Sequence, residues 1–202
     1  MAIFDVMGPI MIGPSSSHTA GAAKIGYLAR RVYGKPVRRA RITLYNSFAE
    51  TGRGHGTDKA ILGGIMGLRI DDPRIKHSYD IAAREEVDVA FEQAIDPEKH
   101  PNCASITFTD TDGDHQFVVE GISVGGGSVK IVGINGARVD FSGKHNLLFV
   151  AYCDVPGMMA LLGDALDARG IAPAGRFDVN QMVLVVEAQR NLFKPVLEAT
   201  GS

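Results

Sequence analysis

Two glycine-containing dipeptides constrain the fold of this chain more than any other feature. Asp112-Gly113 and Asn135-Gly136 each lie between short segments rich in apolar and β-branched residues. The flanking segments are residues 104–109, 116–121, 128–134 and 137–141. Asp-Gly and Asn-Gly favour the tight turns that join antiparallel strands, because both residue types tolerate positive φ angles. Residues 104–141 are therefore expected to form a mostly antiparallel sheet.

The residues before this sheet show helical periodicity. A small-residue face predicts a helix over 19–32, ended by Gly34 and Pro36. Further predicted elements are a strand over 37–48, a helix from Thr57 or Asp58 through Leu68, and an amphipathic helix over 83–95. Gly63-Gly64 is unfavourable inside a helix and indicates close backbone packing there. The combination predicts an α+β domain over residues 1–141.

A new pattern begins after a linker at residues 142–144. Residues 147–152 read as a strand, and a helix ends near Arg169 before Gly170. Strands are expected at 174–177 and 182–187, followed by a short C-terminal helix. Residues 147–202 are therefore predicted to form a second, small βαββα domain.

Composition excludes several classes of protein. The formal net charge is −2 and no Lys/Arg-rich block occurs, which argues against nucleic acid or an anionic membrane as the partner. No apolar run reaches the ~18 residues of a membrane span, and no secretory leader is evident, so a cytoplasmic protein is expected. Cys103 and Cys153 cannot supply the four ligands that an iron-sulfur cluster usually takes, so any such cluster would be carried by another chain.

The first candidate binding motif spans Gly13 to Gly21, directly before the first predicted helix. It contains Ser15, Ser16, Ser17, His18 and Thr19. Hydroxyl donors and the free N–H groups of a helix start attract an anion such as a carboxylate. The alternative is an ordinary N-cap with His18 on the surface.

The second candidate motif spans Gly52 to Asp58 and precedes the second predicted helix. It contains Gly54, His55, Gly56, Thr57 and Asp58. The glycines allow close approach of the backbone to a ligand, and an imidazole exchanges protons near neutral pH. The alternative is a tight turn with a bystander histidine and a capping aspartate. Two such motifs predict a site for a small anionic molecule.

Other patterns carry less chemistry. His18, His55 and Asp58 could bind zinc, yet the histidines lack metal-type spacing, so no metal site is predicted in this chain. Residues 110–121 mimic the start of a calcium loop but lack its required glycine and glutamate. Gly125-Gly126-Gly127 either cradles an anion or joins two strands.

With these residues assigned, the chain resembles the β subunits of iron-sulfur-dependent bacterial L-serine dehydratases (L-serine ammonia-lyases). The resemblance covers about residues 1–141. It rests on GPSSSHTAG at 13–21, NSFAETGRGHGTDKAILGG at 46–64 and VGGGSVKI at 124–131, in that order. Residues 147–202 resemble a regulatory ACT domain, mainly through residues 154–157 and 170–171.

The resemblance implies an N-terminal domain like the allosteric substrate-binding domain of some phosphoglycerate dehydrogenases. It also implies an α subunit that binds a [4Fe-4S] cluster, with the β chain completing the active site for conversion of L-serine to pyruvate and ammonia. Carried onto this sequence, Ser15, Ser16, Ser17 and Thr19 would bind the substrate carboxylate. Gly54, Gly56, Thr57 and Asp58 would line the site, and His18 and His55 would lie beside the reacting centre. His55 is the first candidate for proton transfer.

One departure concerns the second domain. The turn near Asn180 is short and the sequence stops at Ser202, before the full second helix and fourth strand of an ACT fold. This departure leaves two alternatives open for the unit, effector binding, or dimerisation and packing alone. A stand-alone module that senses serine without catalysis is the main alternative function. A self-sufficient hydrolase is disfavoured because no Gly-x-Ser-x-Gly motif occurs.

Overall fold

The computed structural model describes residues 17–51, 56–110, 115–143, 146–151, 157–168, 177–178 and 183–188. Contacts divide the chain into two units, Met1–Asp140 and Phe141–Ser202. None of the helices in the described ranges is long and apolar enough to cross a membrane.

The first unit combines helices with one six-stranded sheet, as the mixed α+β prediction requires. Its elements in chain order are α1 (Ser17–Tyr33), β1 (Arg39–Asn46), α2 (Ser47–Thr51), α3 (Thr57–Ile65), a 3₁₀ helix (Pro73–His77), α4 (Ser78–Arg84), β2 (Asp88–Ala94), β3 (Asn102–Thr109), β4 (Gln116–Gly125), β5 (Ser128–Ile134) and β6 (Ala137–Phe141).

The sheet order is β2-β1-β3-β4-β5-β6. β1, β3, β4 and β5 pair antiparallel in succession, which confirms the antiparallel prediction for this section. Asn135 and Gly136 connect β5 to its neighbour β6 with φ angles of 48° and 83°. Positive φ at both positions is the requirement of a type I′ turn. The Asp112-Gly113 turn lies outside the described residues.

The predicted amphipathic helix over 83–95 is wrong. α4 ends at Arg84, Glu86 adopts a left-handed φ of 56°, and β2 then pairs parallel with β1. Cross-strand ion pairs accompany this pairing: Arg39 Nε lies 2.8 Å from Asp88 Oδ2, and Arg41 Nε lies 3.5 Å from Glu92 Oε1. Pairing with the edge of β1 therefore gives residues 88–94 an extended conformation, although hydrophobic periodicity alone predicts a helix there.

One face of the sheet carries the core. Ile42 of β1 pairs with Ile106 of β3, which pairs with Val119 of β4, and all three side chains are fully buried. Burying each isoleucine side chain contributes roughly 1.5–3 kcal/mol to stability. α1 packs over this face and against α3.

Glycines permit the close approach of α1 and α3. A β-carbon on Gly64 would lie against the carbonyl oxygen of Ala23, and one on Gly26 would lie against that of Ile61. A β-carbon on Gly63 would come within 3.0 Å of Ile75 Cγ1. The close packing predicted from Gly63-Gly64 is therefore confirmed. α3 ends at Ile65, three residues earlier than predicted.

The second unit contains β7 (Asn146–Ala151), α5 (Met158–Asp167), β8 (Phe177–Asp178) and β9 (Val183–Ala188). Its three-stranded sheet has the order β7-β9-β8, and β9 pairs antiparallel with both neighbours. The strand, helix, strand, strand succession follows the sequence prediction. The predicted C-terminal helix lies outside the described residues.

Candidate functional site

Two of the sequence motifs follow strands that end at the same edge of the six-stranded sheet. β1 is antiparallel to β3, and β3 is antiparallel to β4, so β1 and β4 run in the same direction. α2 continues directly from the end of β1, and Gly125–Gly127 marks the end of β4. The segment that leads to His55 and the triple-glycine turn therefore start from one sheet edge, which is called the motif edge below.

α1 begins at this motif edge. A β-carbon on Gly21 would lie against Ser123 Oγ, near the end of β4, whereas Ile25 contacts the position of Gly121, two residues earlier. At the other end of the helix, the Tyr33 ring stacks on Phe108 with centroids 4.6 Å apart. α1 thus runs antiparallel to β4, and its first turn, which includes Ser17 and His18, lies toward the motif edge.

α3 also begins toward this edge. Gly56 follows the last residue of α2 by five positions, and five extended steps of the chain span at most about 18 Å. The two helices approach most closely at Gly26 and Gly64. Farther along, Arg30 donates a hydrogen bond of 2.9 Å to the carbonyl oxygen of Ile65 and lies against the position of Gly67, so α3 advances in the same sense as α1. The beginnings of both helices therefore converge on the motif edge.

The start of α3 differs from the predicted cap. The residue before the helix is Gly56, with φ 70° and ψ 24°, and no side chain caps the helix. Thr57 and Asp58 instead occupy the first turn, which corrects the prediction that one of them caps it. Gly56 occupies the position before the helix because glycine adopts the left-handed conformation required there at little energetic cost.

Thr57 is fully buried, and its hydroxyl oxygen Oγ1 has no hydrogen-bond partner among the described residues. A buried hydroxyl without a partner is unfavourable by about 1–3 kcal/mol. Native proteins usually satisfy such groups with protein, water or a ligand. Among the described residues of the second motif, Thr57 is therefore the one whose buried hydroxyl needs a hydrogen-bond partner, such as a water or a ligand.

Asp58 is held by a residue that sequence reasoning did not identify. The Tyr79 hydroxyl at the start of α4 donates a hydrogen bond of 3.0 Å to Asp58 Oδ2. The Tyr79 ring lies 6.2 Å from that of Phe91 on β2 in a tilted arrangement. No sequence pattern marked this contact, because Tyr79 precedes the helix predicted at 83–95.

Asn46 anchors the segment that follows β1. It has a left-handed φ of 50°, and its Nδ2 donates to the carbonyl oxygens of Asp96 and Lys99 at 2.8 and 3.1 Å. Its Oδ1 accepts from the Asp96 amide at 2.9 Å. Gln93 Nε2 additionally donates to the carbonyl oxygen of Ala49 within α2. These bonds fix the entry to the second motif. An asparagine at a strand end was the available signal, because asparagine tolerates this conformation.

The triple glycine joins two strands. Gly126 and Gly127 have φ angles of 58° and 70°, between Gly125 and Ser128, which are paired across β4 and β5. Lys24 Nζ of α1 donates a hydrogen bond of 2.7 Å to the Gly127 carbonyl oxygen. This contact fixes the turn beside the first part of α1, so the sequence alternative of a strand connection is the one observed.

The structure describes part of the predicted site. Ser15, Ser16, Gly54 and His55 lie outside the described residues. Ser17 and His18 form the first two positions of α1, followed by the partly exposed Thr19. Gly56, Thr57 and Asp58 form the start of α3. The predicted residues that are described thus lie at two helix starts that face one edge.

The described residues hold no group of three His, Cys, Asp or Glu side chains suited to a metal ion. Cys103 is buried at 3% exposure, and burial raises the pKa of its thiol to about 11. An iron-sulfur cluster usually takes four cysteine ligands, and Cys103 is the one cysteine in the described ranges. Cys103 therefore does not fit an iron-sulfur cluster. Cys153 lies outside the described ranges.

The first part of the chain matches a known protein family. Residues 2–79 match the family described as "Serine dehydratase beta chain". This range contains both histidine motifs.

Two relatives cover most of the chain. The "Probable L-serine dehydratase, beta chain" of Bacillus subtilis is 39% identical over 98% of this chain and 91% of its own length. The "L-serine dehydratase, beta chain" of Peptoniphilus asaccharolyticus is 40% identical over 81% of this chain and 73% of its own length. The "L-serine dehydratase" of Streptomyces coelicolor is 33% identical over 64% of this chain, but only 33% of that longer protein is covered. The chain therefore belongs to the serine dehydratase beta chain family.

Proposed function

We propose that this chain is the β subunit of an α/β L-serine dehydratase that converts L-serine to pyruvate and ammonia. Two of its relatives carry the words "beta chain" in their names, which supports a partner chain. In the Streptomyces relative the matched region is a third of a longer protein, in keeping with a need for additional polypeptide. The observation that carries the proposal is the convergence of α1, α3 and the triple-glycine turn on the motif edge.

The reaction removes the α-proton of serine and breaks its Cβ–O bond, so that the hydroxyl leaves as water. The resulting enamine tautomerises to an imine, which water hydrolyses to pyruvate and ammonia. Lewis acidity toward the serine hydroxyl is what a [4Fe-4S] cluster on the α subunit would supply. This sequence has two cysteines, fewer than the four ligands that such a cluster usually takes, which supports assigning the cluster to the α subunit.

The β chain would bind and orient the substrate. Ser15, Ser16, Ser17 and Thr19 at the start of α1 bind the carboxylate with hydroxyl and backbone N–H donors, where the helix dipole favours an anion by up to ~2 kcal/mol. The Thr57 hydroxyl, which has no partner in the described part of the chain, contributes a further hydrogen-bonding group at the start of α3. His55 transfers the proton, and His18 lies beside the reacting centre.

The second unit supports an ACT-like interpretation. β7 and β8 flank β9 in the sheet, and α5 connects β7 to β8. This order is that of the split βαβ arrangement in ferredoxin-like folds. We infer that this unit serves dimerisation or packing.

The test is anaerobic formation of pyruvate from L-serine by this chain, by its cysteine-bearing α partner, and by the two together. Activity in the mixture alone is expected. Full turnover by the α partner without this chain would overturn the proposal and favour a regulatory module that senses serine.

A second arm tests His55. His55→Ala in the assembled enzyme is expected to abolish turnover. His115→Ala is the matched control, because His115 is exposed beside the start of β4, at the opposite sheet edge. Equal activity of both variants would remove His55 from proton transfer. Altered feedback with preserved turnover would favour the sensing module.

A further inference from the structure

The hydrogen bond between Tyr79 and Asp58 links two helix starts. The donor is the Tyr79 hydroxyl at the second residue of α4, and the acceptor is Asp58 Oδ2 in the first turn of α3, at 3.0 Å. Packing against Phe91 restrains the tyrosine ring from the side of β2. The carboxylate is thus held through one of its two oxygens.

Within the described part of the chain, the Asp58 carboxylate lies in the first turn of α3 and has one side-chain partner, Tyr79. It does not cap α3, and no described lysine or arginine forms an ion pair with it. Asp58 is partly exposed. The adjacent Thr57 is fully buried, and its hydroxyl has no hydrogen-bond partner among the described residues. Both residues lie in the first turn of α3, and among the described residues each keeps an open hydrogen-bonding position, Oδ1 of Asp58 and Oγ1 of Thr57.

The chemistry of an amino acid supplies the missing group. A zwitterionic substrate presents an ammonium group as well as a carboxylate, and an ammonium group requires an acceptor. Asp58 is the only acidic residue within the two motifs Gly13–Gly21 and Gly52–Asp58. The remaining polar side chains there are hydroxyls, imidazoles and one guanidinium, none of which carries a negative charge at neutral pH.

We propose that Asp58 binds the α-ammonium group of the amino-acid substrate, and that Tyr79 is a positioning residue that holds the Asp58 carboxylate in the orientation required. The Tyr79 bond occupies Oδ2 and leaves Oδ1 to accept from the ammonium group. This inference rests on the proposed function and adds the basis of selectivity for an amino acid over a hydroxy acid.

The test uses the assembled α/β enzyme with L-serine as substrate and 3-hydroxypropionate as inhibitor. The inhibitor is serine without its ammonium group. Asp58→Asn is expected to raise KM for L-serine by about tenfold to a hundredfold, because a charge-assisted hydrogen bond is lost. The inhibition constant of 3-hydroxypropionate should change by less than about twofold, since Asp58 makes no contact with an ammonium group there. Asp80→Asn, an exposed acidic residue on α4, is the matched control.

The comparison separates recognition from mere structural support. A general loosening of α3 would weaken L-serine and 3-hydroxypropionate alike, and that result would overturn the inference. An unchanged KM in Asp58→Asn would also overturn it. If 3-hydroxypropionate does not inhibit the wild-type enzyme, a raised KM for L-serine supports the inference only where Asp58→Asn keeps the wild-type urea midpoint, and a raised KM with a lowered midpoint would overturn it.

Tyr79→Phe tests the positioning role, because it keeps the ring against Phe91 and removes only the hydroxyl. We expect KM for L-serine to rise about three- to tenfold with a smaller change in kcat and an unchanged 3-hydroxypropionate constant. Tyr33→Phe is the control, since Tyr33 packs at the opposite sheet edge. A wild-type KM in Tyr79→Phe would remove the positioning role. An inactive wild-type assembly would instead refute the proposed function, so the two failures are distinguishable.

Discussion

Replacing Gly64 with alanine tests how closely α1 and α3 approach each other. The added β-carbon would meet the carbonyl oxygen of Ala23 and the backbone nitrogen of Tyr27, and neither backbone atom can rotate away as a side chain can. Overpacking of this kind costs typically about 1–3 kcal/mol, and backbone contact favours the upper value. Alanine recovers about 1 kcal/mol of helix propensity. The net expectation is a loss of about 2 kcal/mol in the free energy of unfolding.

The assay is urea denaturation of the full chain followed by circular dichroism. With a denaturant slope of about 2 kcal/mol per molar, the midpoint should fall by roughly 1 M urea. Gly63→Ala is the matched control, because it has the same helix and the same propensity gain, but its β-carbon would contact the side chain of Ile75 at 3.0 Å. We expect that variant to remain within about 1 kcal/mol of wild type. A Gly64→Ala protein as stable as wild type would refute the reasoning, as would equal losses in both variants.

Two further predictions concern single side chains. Asn46→Ala removes hydrogen bonds to Asp96 and Lys99 and places alanine at a positive φ, so the free energy of unfolding should fall by about 2–3 kcal/mol in urea denaturation; a change below about 0.5 kcal/mol would contradict this account. Hydrogen bonds from Arg74 lower the pKa of Asp72 from 3.8 to about 2, so the folded state favours the charged carboxylate. The stabilisation that this carboxylate gives is present above about pH 4 and is lost as the pH falls toward 2. Carboxyl NMR titration should give that value in the wild type and a higher one in Arg74→Ala, which loses the side-chain bonds but keeps the backbone N–H bond to Asp72; the same value in both would disprove the side-chain pairing.

The elements that sequence predicted well are those governed by local chemistry. α1 has a continuous small-residue face, and the Asn135-Gly136 turn has residues suited to its φ angles. β2 was mistaken for a helix because its conformation depends on pairing with β1, a partner more than forty residues away in the chain. Val87, Ala90, Phe91 and Ala94 satisfy helical spacing, so no local pattern distinguishes the two conformations.

The sequence predicted the motifs of the candidate site, but it did not predict how their residues are arranged in space. Sequence identified the residues of both helix starts, since serine, glycine and histidine before a helical pattern have distinct chemistry. It did not identify the roles of Lys24, Asn46 or Tyr79. Each of these residues makes a hydrogen bond to a partner that is distant in the sequence and is brought close by tertiary packing. Their side chains are common polar types, and nothing in their local sequence marks the contact.

The position of α1 against β4 has a consequence for how the site comes into being during folding. Lys24 and Gly127 are separated by 103 positions in the chain, so the support for the first motif arrives only when distant segments have already met. A fragment ending at residue 79 would retain both histidine motifs and yet lack the strand on which the first helix rests. The relative position of the two motifs therefore depends on the complete sheet, and a fragment that carries only the motifs would not keep it.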